Sequence, residues 1–247
     1  MTKRTRTILF FICVFLFILT APSIIFYSQG YRFDFATKKV VQTGGLYFKV
    51  SPRSTQVYLN GKLKDTTSIF TNSSLVENLI PKTYAVEIKK DGYHSWQKTL
   101  TVREKQVTEA KNIVLITTNP NFTKLNATTT EFNKMVAVLA TNATSSDGQK
   151  VIEADGHEIW VSFPKEEKKI FLNRFSESIG KVFWFNDYYL IFNVANKIKV
   201  AEIDDRDKLN IVDLVEFESP EIFWDRANAR LYLATQGEFY VSDKLLP

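Results

Sequence analysis

Past residue 13 the sequence contains no cysteine. Cys13 lies inside an apolar run near the amino terminus, so the rest of the chain forms no disulfide, holds no thiolate zinc and offers no cysteine nucleophile. Histidine is almost as scarce, with His94 and His157 the whole supply. Acid–base chemistry of the histidine kind would have to rest on one of them. His94 follows a turn in "DGYHSW" and His157 occupies a turn in "DGHEIW"; both read as partly exposed strand-end residues. No serine stands in a Gly-x-Ser-x-Gly elbow. A basic surplus is missing too. Of 32 basic residues against 27 acidic ones, Lys3, Arg4 and Arg6 precede the apolar run, and the chain beyond that run is nearly balanced. That argues against a nucleic-acid binder, which concentrates positive charge on one face. The expectation is a non-enzyme with no catalytic, cofactor-binding or metal-ligating residue and no cofactor.

The sequence is rich in apolar length, then in β pattern. Ile8 to Tyr27 is free of charge, and at about 1.5 Å per helical residue such a run covers the ~30 Å hydrocarbon core of a bilayer. The three basic residues before it keep the amino terminus in the cytoplasm by the positive-inside rule. A cleaved leader is the rival reading, with Ala21 and Ser23 as small residues before the cut. The run continues through Ile24, Ile25, Phe26 and Tyr27 to an aromatic pair at the interface, which favours an uncleaved anchor. Pro22 marks where that helix would kink most easily.

Beyond the anchor, Tyr31, Phe33 and Phe35 alternate in a short stalk. From Gly44 the pattern is all β. "LYFKV" and "TQVYL" are strands, Asn60-Gly61 is a hairpin turn, Tyr84–Lys89 alternates, and Asp91-Gly92 turns again. "QKTLTV" and "NIVLIT" close a unit of about seven short strands, the size of a small β-sandwich. The segments "GGLYFKVSPRSTQVYLNGK", "NLIPKTYAVEIKKDGYHSW", "TLTV" and "NIVLI" resemble, in this order, the PEGA domain of microbial surface proteins. The resemblance covers about 44–116 and implies a non-catalytic interaction or spacer module.

The carboxyl half repeats itself. "VIEADGHEIWV", "LIFNVANKIKV" and "LYLATQGEFYV" superpose as hairpins, spaced about 40 residues apart as in propeller blades. Trp184 and Trp224 precede the second and third hairpins at matching positions, and a strand comes after each of the first two. "SSDGQKVIEADGHEIWV" resembles the blades of TolB-like and WD40-like propellers. The third hairpin lacks a subsequent strand, which leaves Glu238–Ser242 as an edge. An edge recruits a partner strand, supplied either by another chain or by an earlier segment: Asn121–Thr130, or the strand-like "KMVAVLA" of Lys134–Ala140.

Three further groups invite a function. Asp204, Asp205 and Asp207 cluster in "EIDDRDKLN", but the loop lacks the glycine and closing glutamate of an EF-hand and reads as a solvated turn. Tyr47, Tyr58, Tyr84, Tyr93 and Trp96 could form a sugar-binding face, although strand aromatics more commonly pack in cores. Asn72, Asn121, Asn126 and Asn142 open Asn-x-Ser/Thr triplets, a chance yield in a chain this rich in Asn and Thr.

The expected architecture is therefore all-β with one N-terminal transmembrane helix. Its order is 1–7 cytoplasmic tail, 8–27 anchor, 28–43 stalk, 44–116 sandwich, 117–133 linker, and 134–247 incomplete propeller-like four-stranded blades. The expected role is binding or envelope structure outside the cell membrane, through protein or cell-wall glycan contacts. An accessory or sensor subunit of a membrane complex and a degenerate hydrolase with a propeller domain are the alternatives.

Overall fold

The computed structural model describes residues 2–139 and 143–246, so Asn142 falls outside it. Helix α1, Lys3–Ser28, continues through Pro22, and none of its residues is buried. It is long and apolar enough to cross a membrane. Two residues later a hairpin forms from β1 (Tyr31–Asp34) and β2 (Lys39–Gln42).

Seven more strands build the next unit: β3 (Gly44–Ser51), β4 (Gln56–Leu59), β5 (Lys62–Thr66), β6 (Ser73–Leu79), β7 (Thr83–Lys89), β8 (Trp96–Thr101) and β9 (Val107–Val114). They make two sheets, ordered β6-β3-β9 and β5-β4-β7-β8, in which only the β3–β9 pairing is parallel. Alternation directs one set of side chains inward from each strand. Leu46, Phe48 and Val50 of one sheet thereby share a core with Val57, Val86, Ile88 and Leu100 of the other. Asn60 and Gly61 both have positive φ, 50° and 75°, as the tight hairpin turn requires.

The remaining strands form three sheets. The first contains β11 (Val151–Ala154), β12 (Glu158–Phe163) and β13 (Lys168–Arg174). The middle one contains β14 (Ile179–Asn186), β15 (Tyr189–Val194), β16 (Lys197–Glu202) and β17 (Ile211–Glu216). The third contains β18 (Glu221–Asp225), β19 (Arg230–Thr235) and β20 (Glu238–Ser242), with one strand from far upstream. The sheets stand in an open row and do not close into a barrel or ring. The unlike hairpin sequences result from this row. Leu190, Phe192 and Val194 point into the core shared with the first sheet, while Tyr189 and Ile191 point into the core shared with the third. A strand covered on both faces loses its polar alternation, hence the apolar run "YLIF" in the middle and the mixed "EIWVSF" and "RLYLAT" on either side.

The segment read as a linker is structured. β10 (Phe122–Leu125) pairs antiparallel with β20, Phe122 opposite Ser242 and Leu125 opposite Phe239. The edge left by the third hairpin is thus covered by an earlier segment of the same chain. Lys134–Ala140, the other candidate strand, corrects differently: Lys134–Ala137 belong to helix α2, Thr129–Ala137, and Ala140 lies outside the described residues. Thr128 caps this helix in a reciprocal box with Glu131, and Phe132 and Val136 lie one helical turn apart on its buried face. Among the described residues the first sheet has three strands rather than the expected four, and Thr144 before β11 forms a single bridge with Val151.

Candidate functional site

The two units meet along β8, β9 and the loop after β16. The meeting point is built around Glu202, whose side chain is 3% exposed, and Lys98, whose side chain is fully buried; Lys98 Nζ lies 2.6 Å from Glu202 Oε1. Trp96 Nε1 donates to Glu202 Oε2 at 2.7 Å. The backbone N–H and side-chain amide of Asn210 both donate to Glu202 Oε1. Lys98 also donates to the carbonyl of Asp204 at 2.6 Å. A buried charge tolerates this position only with such a full set of partners.

The aspartate loop closes over the same joint. Thr99 N–H donates to Asp207 at 2.8 Å, and Asn210 exchanges hydrogen bonds with the backbone of Gln97 in both directions. Arg206 holds Asp204 at 2.7 Å and donates to the carbonyl of Glu109. Burial pulls the Asp204 carboxyl upward, but its bonds to Arg206 and the charge of Lys98 hold it below its ordinary value. Thr99 does the same for Asp207. The expected solvated turn is therefore a clasp between units. Asp205 pairs instead with Lys168 at 2.9 Å, and no group of three or more metal-ligating side chains occurs among the described residues.

Beside the clasp lies a cleft of about 250 Å³, walled by β9, the first sheet and the middle sheet. Phe163, Ile170 and Ile113 give it an apolar lining, with Tyr188 41% exposed at its side. The cations at the cleft are already matched. Lys150 pairs with Asp147 at 2.5 Å, Lys168 with Asp205, and Lys111 with Glu109 at 2.5 Å. The hydrogen bonds from Lys150 and Ser145 lower the Asp147 carboxyl to about 2. Tyr189 lies at the back; burial, then the charge of Glu202, raises its hydroxyl far above the usual range, and Val114 N–H donates to it. No serine, threonine, cysteine or histidine lines this cleft among the described residues. Its equipment is aromatic surface edged by charge pairs, which suits recognition of a ligand with both apolar and polar parts.

The residues singled out in the sequence are scattered. His94 sits between β7 and β8, its N–H bonded to the carbonyl of Ile116. His157 is exposed between β11 and β12 in the other unit, its Nδ1 3.3 Å from the carbonyl of Phe175. The two histidines thus stand in different units, each engaged with a backbone carbonyl. Tyr84 and Trp96 are core residues, Tyr93 packs against that core, Tyr58 bonds to Gln56, and Tyr47 lies on β3 of the other sheet opposite Leu75, so the five aromatics make no common exposed face. Sequence reading missed Lys98 and Glu202. Lys98 alternates with Trp96 and Leu100, and in a strand that spacing puts a lysine on the inward face.

No protein-family model matches the chain, and no curated protein matches it. Among solved structures, a DUF3823 family protein from Bacteroides ovatus is 12% identical, aligned over 81% of this chain and 96% of its own, with a TM-score of 0.23.

Proposed function

We propose that this is a membrane-anchored extracytoplasmic protein whose role is binding or envelope structure, without catalysis. The observation that carries the reading is the junction. A buried ion pair fixes two separately cored units together, and a cleft of aromatic and charged side chains opens at the seam. A seam held in this way presents residues of both units in one fixed arrangement, which reduces the ordering cost of binding. The apolar α1 is compatible with an anchor. The PEGA-like order of turns in the first unit and the blade-like hairpins of the second support an interaction module and a propeller-related scaffold. The ligand class that suits the cleft is a protein segment or a cell-wall glycan, since both offer apolar faces and hydrogen-bonding groups to Tyr188 and Phe163.

The test is site-specific photocrosslinking in intact membranes of the full chain. A photoreactive residue at Tyr188 is expected to give a discrete adduct, weakened when Lys168 is changed to Glu. The same probe at Leu63, 53% exposed and remote in β5, is expected to give none. Equal labelling from both positions would remove the cleft as a binding site.

A further inference from the structure

The β1–β2 hairpin has two faces, and only one of them meets the β units. Arg32 lies on one face; its guanidinium donates to Asn78 of β6 at 2.9 Å and to the carbonyl of Tyr27 at 2.8 Å. It also stacks 3.5 Å from the centre of the Tyr27 ring. On the opposite face, Phe33 is paired across the ladder with Val40. These two are 47% and 65% exposed, and Phe35 at the tip is 85% exposed. Phe33 and Phe35 meet edge to face at 5.1 Å. An uncovered apolar face on so short a hairpin costs solvation unless something covers it.

The chain itself indicates what does. Tyr31, two residues before Phe33 and on the same face of the strand, meets Phe26 of the last helical turn edge to face at 5.6 Å. The apolar face of the hairpin is therefore continuous with the surface of α1. If Ile8–Tyr27 fills the hydrocarbon core, the hairpin begins at headgroup level. The turn at the tip carries exposed Lys38, a residue that suits anionic headgroups, as aromatics suit the interface. The geometry is set: Asp34 accepts from the Ala36 N–H at 3.0 Å and the Thr37 hydroxyl at 2.7 Å, shaping the tip. Thr43 N–H donates to the carbonyl of Gly30 at 2.9 Å, tying the hairpin base to the helix end.

We propose that this hairpin lies on the membrane that α1 crosses, with Phe33, Phe35 and Val40 seated in the phospholipid interface and Lys38 at the tip beside the phosphates. It is a second attachment that sets the tilt of the β units above the bilayer. The inference rests on α1 being retained as a membrane span.

The experiment uses the full chain with Cys13→Ser, reconstituted in vesicles of phosphatidylcholine and phosphatidylglycerol. Single nitroxide labels are placed through Phe17→Cys, Phe35→Cys or Phe70→Cys. Phe70 is the matched comparator: it is 93% exposed but precedes β6, whose far end carries Asn78, so it lies roughly 17 Å or more beyond the hairpin contact at strand rise. Labels at 17 and 35 are expected to be more accessible to oxygen than to a water-soluble nickel chelate, and the label at 70 the reverse. A label at 35 reading no deeper than the one at 70, with 17 buried, overturns the hairpin proposal alone. If the label at 17 is also aqueous, the membrane span fails and the hairpin proposal falls with it.

Discussion

Lys98 and Glu202, from separate sheets of separate units, form an ion pair 2.6 Å long that solvent does not reach. The Lys98 ammonium has its next carboxylate at Asp204, 3.8 Å away. Removing one partner leaves the other charge buried, at a cost of about 3–5 kcal/mol. Lys98→Met is expected to lower stability by that amount, seen as a lower thermal midpoint, and to separate the melting of the two units. Adding Glu202→Gln should recover part of the loss, because the stranded charge is gone and a glutamine oxygen in the place of Oε1 still accepts both bonds from Asn210, although Trp96 Nε1, which donates to Oε2, loses its acceptor. A double variant as unstable as Lys98→Met would show that the charge is not what the clasp needs.

Acid should open the junction before it melts the cores. Asp204 and Asp207 at the clasp, and Asp147 beside the cleft, all have lowered carboxyl pKa values, Asp147 to about 2. A carboxyl whose folded pKa is depressed contributes stability that is complete above its unfolded value near 3.8 and is lost as pH falls through the folded one. The clasp is therefore expected to be independent of pH above about 4 and to weaken as pH falls below that. The chemical shift of the Thr99 amide, which donates to Asp207, reports this. In Asp207→Asn that shift should lose its acid transition; an unchanged transition would assign it to another group.

The strands were legible because their side chains alternate or, in the middle sheet, run apolar where both faces are covered. The hairpin turns were legible because Asn60-Gly61 and its like need positive φ. Two features escaped for physical reasons. "KMVAVLA" is rich in strand-favouring side chains, yet the decisive signal lay upstream, in the Thr128–Glu131 box and the one-turn spacing of Phe132 and Val136. The clasp escaped because Glu202 and the aspartates after it look like a solvated loop until another unit supplies Lys98 and the backbone of Thr99. Partners from distant sequence carry no local signal; only the inward alternation of Lys98 did. The cleft, formed by three elements far apart in the chain, had none.

β10 completes the third sheet, and helix α2 packs against it. Phe132, 1% exposed, stacks on Phe239 of β20 with ring centres 4.3 Å apart, and meets Phe223 edge to face. Phe132→Ala is expected to cost about 3–5 kcal/mol. The loss should concentrate in one place: amide exchange should quicken in β10 and β20 and leave β4 and β7 protected, since those strands sit in a different core. Uniform quickening would mean that the two units unfold as one.

Gly180 allows the last of these contacts. A Cβ there would stand 2.3 Å from Oδ1 and 2.5 Å from Nδ2 of Asn193. That amide is in use: Lys181 N–H donates to its oxygen at 3.1 Å, and its nitrogen donates to the carbonyl of Pro220 at 3.1 Å. It thus joins the irregular start of β14 to the approach of β18, bracing the middle sheet against the third. Gly180→Ala has to displace this side chain, an overpacking cost of about 1–3 kcal/mol. Asn193→Ala loses the brace but clears the space. The two changes touch the same atoms, so their effects should not add. Once Asn193 is gone, the methyl at 180 meets no amide, and the double variant should be little worse than Asn193→Ala alone. Denaturant unfolding of the four chains of this cycle measures the coupling; strict additivity would mean that the Asn193 amide moves aside without loss and braces nothing.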